Sequence, residues 1–158
     1  MTTNEQILET AENLRLSGEY EKAKETYSEL LNVQGDPDVN NIHALRGLAE
    51  VYRMQEDYDQ AEVFYNDAIE QYKQIDHYVG LGYSLMGLGQ LNRHNNLLDE
   101  AKKLIISAIE AFSKTQDKYG NADCNIELGH IYFSQLNYQE SSKAFQEALE
   151  NYKLVEDS

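Results

Sequence analysis

The sequence contains no tryptophan, one proline and one cysteine among 158 residues. A lone cysteine, Cys124, excludes a disulfide within the chain and fits a reducing compartment. No second thiol or motif gives it a redox role. Positive charge is scarce: 13 Lys and Arg face 28 Asp and Glu, for a net charge of −15 at pH 7. Such a chain is repelled by phosphate backbones, so general nucleic-acid binding is excluded. No apolar run reaches membrane-spanning length, and Met1 to Glu12 hold neither the basic nor the apolar region of a signal peptide. No membrane partner is expected, and a cytoplasmic location follows by default. Strand patterns, glycine-rich phosphate loops and nucleophile–base groupings are all missing, so the chain is expected to be no enzyme and to carry no cofactor. His43, His94 and His130 share one side of the expected helices, but their spacing matches no ligand signature, and no metal site is expected.

What is present is periodicity. The segment Leu128 to Leu149 reads as two amphipathic helices with a break at Gln135-Leu136-Asn137, and Asn137 suits the start of the second. The same template fits three more times. Gly129 aligns with Gly89, Ala49 and Ala11, and these recur 40, 40 and 38 residues apart. Tyr138 aligns with Leu98, Tyr58 and Tyr20; Phe145 with Ile105, Tyr65 and Tyr27. A fixed period in this range marks a stacked architecture in which no single pair buries its own apolar face. Units are expected over about 4–38, 42–78, 82–118 and 122–158, in a single domain spanning 1–158. Turns are expected at Gly18-Glu19, Glu56-Asp57, Asn95-Asn96 and Gln135-Leu136, and the only proline marks a sharper loop at Gly35-Asp36-Pro37. The dense glycines Gly80, Gly82, Gly87 and Gly89 are read as close packing at the last two and a loose start at the first two, in preference to a hinge. Asn125, where the other units have Ile7, Leu45 and Leu85, suggests looser packing in the last unit.

The residues L-G-x-x-Y-x5-Y-x2-S-x3-F-x2-A-L at Leu128 to Leu149, and L-A-x-x-Y-x5-Y-x2-A-x3-Y-x2-A-I at Leu48 to Ile69, resemble the tetratricopeptide repeat. The longer period is similar to that of its subclass with repeats of about 40 residues. The turn glycine of the family survives only as Gly18; Glu56, Asn96 and Leu136 replace it. The resemblance implies an all-α fold, a right-handed α-α superhelix of four helix-turn-helix repeats. It implies that first helices line a concave ligand groove. That set comprises Leu8, Glu12, Arg15, Arg46, Glu50, Arg53, Met86, Gln90, Arg93, His94, Ile126, His130 and Phe133. The chaperone-tail clamp known in the family is not expected, because its positions hold Leu8, Glu12, Gly47, Tyr83 and Gly87.

All four arginines lie in first helices, and Arg15, Arg53 and Arg93 occupy one repeat position. A guanidinium grips a carboxylate through two parallel hydrogen bonds, so this ladder points to an acidic peptide. The competing role is helix support, since Glu12–Arg15 and Glu50–Arg53 are i,i+3 pairs and Arg46–Glu50 is i,i+4. The expected function is a protein-interaction module or adaptor that binds a peptide segment. The alternatives are a peptide-sensing regulatory domain, and a homo-oligomer or homodimer assembling through a C-terminal repeat whose last helix carries little polar capping.

Overall fold

The computed structural model describes residues 3–32 and 38–158. Among these residues there are eight helices and no strand, as expected for an all-α helical repeat. They are α1 (Asn4–Leu16), α2 (Tyr20–Leu31), α3 (Val39–Met54), α4 (Tyr58–Gln74), α5 (Tyr78–His94), α6 (Leu98–Ser113), α7 (Lys118–Ser134) and α8 (Tyr138–Glu156). The expected loop at Gly35-Asp36-Pro37 lies outside the described residues. The chain divides into two compact units, Met1–Gln74 and Ile75–Ser158.

In the first unit α1 packs on α2, both pack on α3, and α3 packs on α4. Ala11, Ala23, Tyr27, Leu30, Ala44, Leu48 and Val51 form its core, with Ile7, Leu8 and Leu14 half-buried against it. Both early helices start on a capping box: Thr3 with Gln6 begins α1, and Asp38 with Asn41 begins α3. In the second unit α5 packs on α6, both pack on α7, and α7 packs on α8. The small residues of the repeat are where backbones and rings meet. Ala23, Ala61 and Ala101 are fully buried in successive second helices. Ser141 takes the same place in α8 and keeps it by donating to the Gly129 carbonyl at 2.8 Å.

Glycines serve as seats for rings. A Cβ on Gly47 of α3 would lie 2.3 Å from Cζ of Tyr27, and one on Gly129 would lie 2.5 Å from the Phe145 ring. The expected loose start at Gly80 and Gly82 is corrected: both are buried within α5, and the Phe112 ring rests on Gly82.

The four turns share one geometry that the sequence obscures. Gly18, Glu56, Asn96 and Leu136 all have positive φ, between 61° and 80°. In each, the residue after it donates back five residues to the first helix, as Asn137 does to Tyr132, and the turn residue itself donates to the third residue before it. Gly18 adopts this freely, whereas the other three bear the steric cost of a Cβ. Leu136 is also 72% exposed and so gains little from its side chain. Leu136→Gly is expected to stabilise the protein by about 1 kcal/mol in urea denaturation. A loss of stability would show that the turn does not bear this cost.

Candidate ligand-binding surface

In the first unit the expected site residues come together as a repeated three-residue network. On α1, Arg15 donates to Glu12 through Nη2 at 2.6 Å, and the Tyr27 hydroxyl, from α2, donates to the other Glu12 oxygen at 2.7 Å. One repeat on, Arg53 Nη2 donates to Glu50 at 2.7 Å, and Tyr65 of α4 donates to the second Glu50 oxygen. Arg53 Nε also donates to the Tyr65 hydroxyl, at 3.2 Å. Each network ties a first helix to its own second helix. The expected i,i+3 pairs are therefore present, but each is one edge of a larger unit.

Arg46 is shared between the two networks. It donates to the Tyr72 hydroxyl and lies in the field of both Glu12 and Glu50. Tyr72 in turn meets Nδ1 of His43. Burial works against the Arg46 charge, but Tyr72 and the two carboxylates outweigh it and hold the group above its ordinary pKa. Burial likewise opposes the Glu12 carboxylate; Arg15, Tyr27 and Arg46 overcome this and lower its pKa. Around these residues three guanidiniums face two carboxylates, a local positive balance in a chain of net charge −15. Leu8 is half-buried against the hydrophobic core of this unit.

The second unit departs from this pattern. The tyrosine is replaced by Ile105, and the glutamate by Gln90. Gln90 Nε2 and Arg93 Nε instead donate to the two oxygens of Glu127 on α7, at 2.9 Å and 3.1 Å. Arg93 thus links adjacent repeats. Met86 and Ile126 are half-buried, and His94 is exposed. His130 sets its ring edge-on to Phe145 at 5.2 Å, and Phe133, 59% exposed, does the same to Tyr138 at 5.5 Å. Among the described residues, no group of three His, Cys, Asp or Glu side chains is placed to hold a metal ion. Cys124 is buried, and burial, followed by Asp123, Glu127 and Asp117, pushes its thiol far up and leaves it unreactive.

Glu127, Tyr27, Tyr65 and Tyr72 were missing from the expected set. A signal for two of them was present: Glu12 precedes Tyr27 by the same 15 residues that separate Glu50 from Tyr65, and where the tyrosine is lost, at Ile105, the glutamate is lost too.

The network sets the pH range of stability. Burial, then neighbouring Glu12 or Glu50, raises the Tyr27 and Tyr65 hydroxyls above their ordinary 10.0. The Asp123 hydrogen bond does the same to Tyr152, up to about 12. A raised folded pKa contributes stability that is intact below the unfolded value and is lost as pH climbs through the folded one. The lowered Glu12 works in the opposite direction, and its contribution disappears as pH falls below 4.5. Stability is expected to hold through neutrality and to fall as pH rises beyond 10, with tyrosinate absorbance appearing together with loss of helix. Ionisation of all tyrosines ahead of unfolding would contradict this.

Eight helices in pairs, with rings seated on small residues and a repeated turn, define a helical-repeat scaffold. The sequence profile of the tetratricopeptide repeat matches residues 5–74 and again residues 122–153, which together cover more than half of the chain. The protein belongs to the tetratricopeptide repeat family. Among solved structures, BtubC (BKLC) from P. vanneervenii superposes with a TM-score of 0.83 at 17% identity over 98% of this chain. The chain spans 65% of that protein's length. MamA gives 0.71 at 16% identity, over 99% of this chain and 82% of its own. The TPR-like repeats of a putative kinesin light chain from Podosopora anserina give 0.73 at 14% identity, over 94% and 75%. At these identities the likeness is one of fold. No curated protein sequence matches the chain. No helix among the described residues is long and apolar enough to cross a membrane.

Proposed function

We propose that the protein is a non-catalytic adaptor whose first-unit surface, formed by α1 and α3, binds a peptide segment bearing carboxylates. The tetratricopeptide fold is a general protein-interaction scaffold, and the first helices carry this site. The observation that carries the reading is the pair of Glu–Arg–Tyr networks bridged by Arg46. Tyrosines hold the side chains in place before any ligand arrives, so little ordering remains to oppose binding. One guanidinium charge exceeds the carboxylates there, and an incoming carboxylate meets donors already oriented. Arg15 and Arg53 each keep about a fifth of their side-chain surface exposed, 22% in both, which leaves guanidinium edges for a ligand.

The test is fluorescence anisotropy with extended peptides that differ only in Asp/Glu against Asn/Gln. Acidic peptides are expected to bind at least tenfold more tightly, with affinity falling as salt rises and lost in Arg46→Gln. Equal binding of acidic and amide peptides would overturn the reading.

A second reading, assembly into a homo-oligomer through α8, is supported by a separate observation. Phe133, Tyr138, Phe145 and Leu149 form an exposed apolar strip at 59%, 58%, 37% and 54% exposure, while Tyr27, Tyr65 and Ile105, the counterparts of Phe145, are fully buried. Sedimentation velocity of wild type and Leu149→Glu decides it: a concentration-dependent dimer abolished by the charge supports assembly, and a monomer throughout excludes it.

A further inference from the structure

The last repeat carries a polar cleft where its neighbour has a dry core. Asn125, Asn121 and Asn151 occupy the repeat positions of Leu85, Leu81 and Ala111, all three buried. Asn125 is itself only 5% exposed. Its Nδ2 donates to the backbone and side-chain oxygens of Asn121, at 3.1 Å and 3.0 Å, which fixes which way the amide points. Asn151 Nδ2 also donates to the Asn121 side-chain oxygen, at 3.5 Å. The Asn125 carbonyl oxygen has no donor among the described residues, and Asn125 lines a cleft of about 420 Å³ between α7 and α8. An amide buries less apolar surface than Ile7, Leu45 and Leu85 do at this position of the other repeats, so core packing does not explain it.

The rest of the lining defines what fits. Ile109, Leu128 and Leu154 supply apolar wall, whereas Glu147 and Glu150 supply carboxylates. With the Asn125 and Asn151 carbonyls, the cleft offers hydrogen-bond acceptors and negative charge beside a greasy side. We infer that it binds a primary alkylammonium, with the alkyl stem on the apolar wall and the ammonium donating to Asn125 and the carboxylates. An ammonium carries three donors and no acceptor, which suits this set; an anion or a neutral alcohol does not. The shared chemistry is that of a lysine side chain in a partner and of a free aliphatic diamine. This site is distinct from the cationic surface on α1 and α3, which takes the opposite charge.

The experiment is a titration of isotopically labelled protein followed through the side-chain amide signals of Asn125 and Asn151. The probes are cadaverine, a capped lysine tripeptide and 1-pentanol. Saturable shifts with the amines up to about 50 mM, and none with pentanol, are expected. Preference for the tripeptide would identify a partner's lysine as the source, and preference for cadaverine a free diamine. Asn125→Leu is expected to weaken amine binding at least tenfold while raising Tm. Asn151→Ala, which restores the residue of the preceding repeat, gives the same reading should Asn125→Leu fail to fold. No shift with either amine, equal shifts with pentanol, or undiminished binding in a folded variant would overturn the assignment.

Discussion

Replacing Phe112 with alanine is expected to destabilise the protein by about 4 kcal/mol, the largest effect of any single truncation considered. The ring is 2% exposed and stands between two helices. A Cβ on Gly82 of α5 would lie 2.7 Å from it, and one on Gly120 of α7 would lie 2.3 Å away. Tyr83 closes a third side edge-on, with ring centroids 4.9 Å apart. Removing the ring opens a cavity between helices that belong to adjacent repeats, and the glycines have no side chains with which to refill it. The same contacts reverse the ordinary effect of helix propensity. Glycine to alanine inside a helix normally gains about 1 kcal/mol. Gly120→Ala is instead expected to lose about 2 kcal/mol, because its methyl group meets the face of a buried ring. Urea denaturation of the two variants checks both values. A stabilising Gly120→Ala would show that Phe112 moves aside at little cost.

The second large effect is expected at Glu50. Its two oxygens hold Arg53 and Tyr65, and its charge also supports Arg46. Glu50→Ala leaves the buried Tyr65 hydroxyl and the Arg53 guanidinium short of an acceptor, and removes a favourable charge from beside Arg46. Breaking a buried pair costs 3–5 kcal/mol, but Glu50 and Arg53 keep 16% and 22% of their side-chain surface exposed, so about 2 kcal/mol is expected here. The third repeat indicates how the loss is compensated, since it carries Gln90 and Ile105 at these positions. The double variant Glu50→Gln, Tyr65→Ile is therefore expected to be more stable than the sum of its single variants implies, by about 1 kcal/mol or more. Simple additivity, measured by a double-mutant cycle in urea, would show that the three side chains do not act as one network.

The fold was legible because the repeat states it four times. Small residues at Ala11, Ala49, Gly89 and Gly129, and rings at Tyr27, Tyr65 and Phe145, recur in register, and each helix pair has the same structural task. The turns were legible in position but not in conformation. Glu56, Asn96 and Leu136 adopt the backbone of Gly18 because the flanking hydrogen bonds impose it, and no residue preference announces that. The glycines of α5 were half understood. Gly89 suggests close packing, but Gly82 is explained only by Phe112, 30 residues later. At the candidate site, Glu12–Arg15 and Glu50–Arg53 followed from helical spacing. The tyrosines that complete them come from the second helices, and Glu127, which takes Gln90 and Arg93, comes from the following repeat. Such partners are set by packing between helices and leave only a correlated replacement in the sequence. Asn125 reads as a packing defect in the sequence; in the structure its amide is tied to Asn121, which Asn151 also reaches.

The most direct measurement of the carboxylate-binding account follows the arginine Nε–H signals while an acidic peptide is added. The signals of Arg15, Arg46 and Arg53 are expected to shift together along one saturating curve, and to do so less at higher salt. Binding of the peptide with those three signals unmoved would place the ligand elsewhere and contradict the account.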